Sequence, residues 1–122
     1  MNGSIKGVGC DIVSVSRIAK FIVDQRFLGN VYTVYEREYI NEKGTQTAAG
    51  LWAAKEAVSK ALGTGFVGFT AKDIEIRHNE SGAPQIVLYN GAKTRSEWIH
   101  VKNIYISISH EQEQALAFAV IE

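Results

Sequence analysis

The chain has 122 residues, 46% of them hydrophobic, and its thirteen basic and thirteen acidic side chains leave no formal net charge. This length predicts one domain, 1–122, that buries a core of its own, and neutrality argues against a broad nucleic-acid-binding surface. No apolar run reaches the roughly eighteen residues of a membrane span, no signal peptide is present, and the single Cys10 has no bridging partner, so the reading is a cytoplasmic protein with neither membrane nor nucleic acid as partner.

The first element is a short alternating strand carrying Ile5, Val8, Cys10 and Ile12, with Asp11 inside its apolar pattern. A carboxylate there needs a cation, a metal or several donors, because burying an unpaired charge is expensive; alternatively, Asp11 and the serines after it only cap the next helix. Ser14 or Ser16 opens a helix predicted to reach about Gln25, with Ile18, Ala19, Ile22 and Val23 inward and Arg17, Lys20 and Asp24 outward. Thr33-Val-Tyr-Glu36 has capping-box spacing and opens a helix through Glu42 or Lys43 that Gly44 ends.

Thr45 or Thr47 precedes the long central helix, and Gly63 ends it. On its wheel Ala53, Ala54, Ala57, Val58, Ala61 and Leu62 fill one arc, while Lys55, Glu56, Ser59, Lys60 and Gly63 fill the other. Glu56 and Lys60 fall one turn apart, as in an ordinary surface pair, but Trp52 in the middle of the polar arc implies that this face meets a ligand or another subunit. Beyond the helix, Ile74 to Arg77 and Gln85 to Tyr89 form a hairpin around Asn79 to Gly82. Gly91 to Trp98 reads equally as a short helix or an extended insertion. Ile104 to Ser109 and Ala115 to Ile121 alternate again, with apolar residues on both faces. The fold class is α+β, helices packed on an antiparallel sheet.

Several chemistries are excluded. There is no phosphate-binding Gly-x-x-x-x-Gly-Lys loop and no Gly-x-Ser-x-Gly elbow, and Cys10 has no neighbouring base. The scattered His78, His100 and His110 lack zinc-ligand spacing. Gly63-Thr-Gly65 follows a helix C-terminus, where the dipole repels phosphate, so anion binding there would need cations, which Lys60 and a divalent ion on Asp11 and Glu56 can supply. Two carboxylates that leave room for water and phosphate oxygens suit Mg²⁺.

Gly9-Cys-Asp-Ile-Val13 and Ala53 to Gly65, together with Ala71 to Ile76, Gly82-Ala-Pro84 and Ile106 to His110, resemble the holo-acyl-carrier-protein synthase branch of the 4′-phosphopantetheinyl transferases. That resemblance implies the family's fold and the transfer of 4′-phosphopantetheine from coenzyme A to a serine of apo-acyl carrier protein, in the service of fatty acid biosynthesis. It makes Asp11 and Glu56 the Mg²⁺ ligands and Lys60 the cation at the diphosphate, with Glu56 also the candidate base. Ser59, Gly63, Gly65 and His110 would contact coenzyme A, and Arg17, extended by Lys20, would meet acidic side chains of the carrier protein. It also implies a homotrimer with coenzyme A between neighbours, Asp11 and Glu56 on one chain and His110 on the next. The chain departs from the family pattern at Ser14, where many members have glutamate, and at Leu51 and Trp52, where Arg-Phe is frequent. Two rival readings remain: a metal-dependent phosphohydrolase acting on coenzyme A through the same carboxylates, and a non-catalytic carrier-protein-binding module, which the Ser14 and Leu51 departures favour.

Overall fold

Small residues decide where the long helix lies, and through it where everything else packs. A computed structural model describes residues 4–122. In chain order its elements are β1 (Gly7–Ser14), α1 (Val15–Phe21), α2 (Gln25–Val31), α3 (Val34–Lys43), α4 (Thr45–Ala61), β2 (Ile74–His78), β3 (Pro84–Leu88), α5 (Asn90–Trp98), β4 (Ile104–His110) and β5 (Gln114–Ile121), with a 3-10 turn at Ala71–Asp73. The strands β1, β5 and β4 form an antiparallel sheet in that order, with Asp11 opposite Ala117. β2 and β3 pair as a separate hairpin, so the single sheet of the sequence reading is two. The α+β class stands.

α4 lies across the three-stranded sheet. Ala53, Ala57 and Ala61 of the helix meet Ala115, Ala117 and Ala119 of β5 in the core. β1 comes closer still: a Cβ on Gly7 would sit 1.9 Å from the Ala61 carbonyl oxygen, and one on Gly9 1.9 Å from that of Ala57. Only glycine fits there. Gly7, Gly9, Asp11 and Val13 therefore form the inner face of β1, and Val8, Cys10 and Ile12 are exposed. The alternating pattern marks the strand, but glycines carry no hydrophobic signal of which face packs on the helix.

The expected long first helix is two. Ser14 caps α1 by accepting from the Arg17 N–H, and Asp24 caps α2 by accepting from the Arg26 N–H, with the chain turning between them. Val23, predicted inward, is 78% exposed in that turn. The capping box at Thr33 is present in both halves, and Gly44, at φ +106°, ends α3. Gly44 also stands at the N-cap of α4, which starts at Thr45 without a side-chain cap, so neither threonine plays the expected capping role. The undecided segment is the helix α5.

The polar arc of α4 is split. Lys55 and Ser59 are closed to solvent, whereas Glu56 is half-buried and Lys60 exposed. Lys55 is buried because its ammonium is fully matched: Nζ donates to Glu36 Oε1 at 2.8 Å, to the Ala71 carbonyl at 3.0 Å and to the Ile74 carbonyl. Glu36 in turn accepts from the Thr33 and Ile76 N–H groups. One buried ion pair thus ties α4 to α3, to the 3-10 turn and to β2. Such a pair adds little net stability, but removing one partner strands the other and costs about 3–5 kcal/mol.

The seam between β1 and α4 makes a direct prediction. Gly9→Ala forces backbone apart and is expected to destabilise the protein by about 1–3 kcal/mol or more, the range for overpacking. Gly29→Ala, with nothing within 4 Å of the added Cβ and a position inside α2, is expected to be neutral or stabilising by up to about 1 kcal/mol. Urea denaturation of both variants reads the contrast, and equal midpoints would contradict it.

Candidate active site

Asp11 points from the inner face of β1 toward the last turns of α4, directly beyond the place where Gly9 lets the two backbones touch. Its side chain is 19% exposed, and Lys60 Nζ lies 3.2 Å from its Oδ1 while also donating to the Cys10 carbonyl at 3.1 Å. Lys60 therefore turns to the strand rather than pairing with Glu56 along its own helix. Both carboxylates line a cleft of about 210 Å³ shared with Arg17, Phe21, Phe27 and Trp52. A larger, shallower groove of about 560 Å³ beside α3 contains none of the predicted site residues.

The cleft is electrostatically unfinished. Burial raises the Glu56 carboxyl above the usual carboxylate range, the nearby Asp11 charge raises it further, and Lys60 only partly opposes them. The two acids thus feel each other across the cleft, which is the condition a divalent cation relieves. Among the described residues, no third His, Cys, Asp or Glu joins them in a metal-holding cluster. A hard pair of oxygen ligands with positions left for water and phosphate fits Mg²⁺ and does not fit zinc.

The remaining predicted residues fall in three places. Arg17 and Lys20 are exposed on α1; Arg17 lines the cleft itself, its guanidinium 5.7 Å from the Phe21 ring centroid. Trp52, singled out for standing on a polar arc, packs between Phe27 and Phe66 at 5.8 and 6.5 Å and walls the same cleft. Ser59 is buried with its hydroxyl donating to the Glu56 carbonyl at 2.7 Å, so within the chain it braces the turn that carries Glu56 rather than facing solvent. After the helix, Gly63 and Gly65 take left-handed φ of +89° and +62°, and their N–H groups return to the Lys60 and Ser59 carbonyls. That geometry, natural only for glycine, brings bare backbone around the end of α4.

His110 is not in this cleft. It ends β4 and lines a second pocket of about 160 Å³ with Tyr39, His78, Gly50, Leu51 and Pro84 among others. His78, stacked on Tyr39 at 4.2 Å, is a neighbour that sequence reasoning left unassigned; nothing in the local pattern links a strand end to a helix thirty-nine residues earlier. Burial, aided by the Lys43 charge, holds the His78 imidazole below its ordinary value. Leu51, where the family often has arginine, is 2% exposed and packs into the core beside this pocket. Ser14, where the family often has glutamate, is spent as the α1 cap.

Residues 7–119 match the profile of the 4′-phosphopantetheinyl transferase superfamily. The chain belongs to that family. It is 44% identical over 122 residues to the holo-[acyl-carrier-protein] synthase of Clostridium acetobutylicum, covering 97% of this chain and 98% of the relative. The corresponding protein of Caldicellulosiruptor bescii is 44% identical over 120 residues, with 97% and 98% covered. Among solved structures, the Helicobacter pylori holo-[acyl-carrier-protein] synthase in complex with coenzyme A superposes with a TM-score of 0.85 at 32% identity, covering 94% of this chain and 99% of that one. The Neisseria meningitidis enzyme superposes with a TM-score of 0.89 at 33% identity, covering 98% and 99%. Among the described residues no helix is long and apolar enough to cross a membrane.

Because the folded metal-free chain holds the Glu56 proton more tightly than the unfolded chain does, ionised Glu56 costs stability. Metal-free stability is therefore expected to fall as pH rises through the window between the ordinary and the raised Glu56 values. Glu56→Gln is expected to melt higher than wild type at pH 7, with the difference vanishing below the ordinary carboxylate range. Thermal unfolding in chelator at both pH values measures this; a Gln variant no more stable at pH 7 contradicts the repulsion.

Proposed function

We propose that this chain is a holo-acyl-carrier-protein synthase, transferring 4′-phosphopantetheine from coenzyme A to a serine of apo-acyl carrier protein for fatty acid biosynthesis. The observation that carries the reading is that Asp11 and Glu56 line one cleft from two different elements, with Lys60 held beside it by its contact with Asp11. Phosphoryl transfer needs little covalent help from a protein; it needs charge placed where charge moves.

Asp11 and Glu56 would hold Mg²⁺, which when bound neutralises the diphosphate of the donor. The serine oxygen of the carrier forms a bond to the pantetheine-linked phosphorus, and the bond from that phosphorus to the leaving phosphate oxygen breaks, releasing adenosine 3′,5′-bisphosphate. Lys60, exposed and held at the cleft edge, balances negative charge on the departing group. Glu56, directly or through a bound water, is the group placed to take the serine proton. Gly63 and Gly65 offer bare backbone to the donor. Arg17 and Lys20 adjoin the cleft on α1, so an acidic carrier surface bound there delivers its serine to the reacting atoms.

The working unit of this reading is a homotrimer in the cytoplasm. The sheet face turned away from α4 carries Val8 (56% exposed), Ile12 (57%), Tyr105 (54%) and Phe118 (47%), an apolar patch that the chain's own helices leave open. Packing copies through this face covers it and brings His110 of one chain to the donor held at Asp11 and Glu56 of the next. Cys10 on the same face is a free thiol, in keeping with a reducing compartment.

The test is the mass of apo-acyl carrier protein after incubation with the chain, coenzyme A and Mg²⁺. A phosphopantetheine-sized increase is expected, and Asp11→Ala and Glu56→Ala are each expected to slow it at least about a hundredfold while keeping the fold. Consumption of coenzyme A without modification of the carrier would identify a hydrolase instead. Retained carrier binding with no reaction would identify a binding module.

A further inference from the structure

The end of α4 poses a problem for any anionic donor. The last turn of a helix exposes carbonyl oxygens and carries the negative end of the macrodipole, yet the proposed donor carries phosphates to the Gly63–Gly65 turn. The turn's own N–H groups satisfy the carbonyls of Ser59 and Lys60, and the Leu62 N–H satisfies that of Val58. The Leu62 carbonyl is answered from elsewhere: Arg95 of α5 donates to it through Nε at 2.8 Å.

Three features of Arg95 go beyond a cap. The guanidinium stands against the turn, with Nη2 3.1 Å from the place a Cβ of Gly63 would occupy, so a side chain there would press on the arginine, while the φ of +89° itself favours glycine. Its hydrogen bond to Leu62 uses Nε, which leaves the two terminal nitrogens as a fork without an acceptor among the described residues. Among the described residues it makes no ion pair with a carboxylate, and it is half-buried rather than spread into solvent. A guanidinium pinned at one edge, preorganised and charge-unbalanced is the arrangement that takes a phosphate in bidentate fashion.

We propose that Arg95 is a donor-binding residue that offers its guanidinium fork to a phosphate of coenzyme A at the Gly63–Gly65 turn. The inference rests on the donor reading given above and deepens it. It adds a third cation to Lys60 and the divalent ion at a helix end that would otherwise repel phosphate. It also gives α5 a purpose in the site, and supplies positive charge to a chain whose Leu51 stands where the family often has arginine.

The test compares wild type, Arg95→Gln and Arg95→Lys by steady-state transfer and by titration with coenzyme A at several salt concentrations. Arg95→Gln is expected to raise both the KM and the Kd for coenzyme A about tenfold or more, as loss of a charge-assisted pair does. Its kcat and its KM for the carrier protein should stay within about twofold of wild type, and its coenzyme A affinity should fall less steeply with salt. Arg95→Lys, which keeps the charge, should recover part of the affinity. Unchanged coenzyme A affinity and salt slope in Arg95→Gln, with an active wild type, would overturn the assignment alone. So would a lower melting temperature with both KM values unchanged, which is the signature of a helix cap. A wild-type chain that neither binds coenzyme A nor modifies the carrier would instead overturn the functional reading on which the inference stands.

Discussion

The contact between the backbone of β1 and the backbone of α4 is the constraint on which the structure depends. At Gly7 and Gly9 there is no room for a single carbon atom between strand and helix carbonyl, and the buried face of the neighbouring β5 is Ala115, Ala117 and Ala119, with Ile121 at the strand's end. Small side chains bury little apolar area each, so the seam contributes less hydrophobic stabilisation per residue than a leucine core would. What it provides is distance. Two residues past Gly9 the strand delivers Asp11 to the flank of α4, within reach of Lys60 and close enough to Glu56 to disturb its ionisation. A larger residue at either glycine would move the strand's carboxylate away from the helix's carboxylate and weaken their mutual influence.

Distance alone does not aim a side chain; rotation of the helix must be fixed as well. Lys55 and Glu56 are neighbours in sequence and so lie about 100° apart around α4. The buried Lys55 is held by Glu36 and by two backbone carbonyls, which pins the helix against α3 and β2 and leaves Glu56 aimed into the cleft. The two charge clusters are opposites in design. The Lys55–Glu36 pair is dry and saturated with hydrogen bonds, and it has nothing left to offer a ligand. Asp11, Glu56 and Lys60 are partly wet and set one cation against two carboxylates.

The elements that announced themselves in the sequence did so through local chemistry. The capping box at Thr33 and Glu36, the glycine stops at Gly44 and Gly63 and the turn between β2 and β3 all involve residues a few positions apart. Asp11, Glu56 and Lys60 were legible as a group only because two motifs were read together. What stayed hidden depended on partners distant in the chain. Lys55 looks like a surface residue on a helical wheel, since its partner Glu36 lies nineteen positions away in a different helix. The inner face of β1 was not legible because two of the residues that pack there are glycines. The break between α1 and α2 rests on Asp24 accepting from the Arg26 N–H two residues on, a short-range alternative to continuing the helix that apolar periodicity does not record. His110 was placed on the right strand end, but the pocket it shares with His78 and Tyr39 exists only once the hairpin is folded against α3 and α4.

The central claim is that strand and helix jointly build one divalent-cation site, and the most direct measurement is Mn²⁺ binding followed by electron paramagnetic resonance in the presence of coenzyme A. The account predicts one tight Mn²⁺ per chain in the wild type and loss of that same site in both Asp11→Asn and Glu56→Gln, with circular dichroism unchanged. Wild-type Mn²⁺ affinity in either folded variant would contradict it.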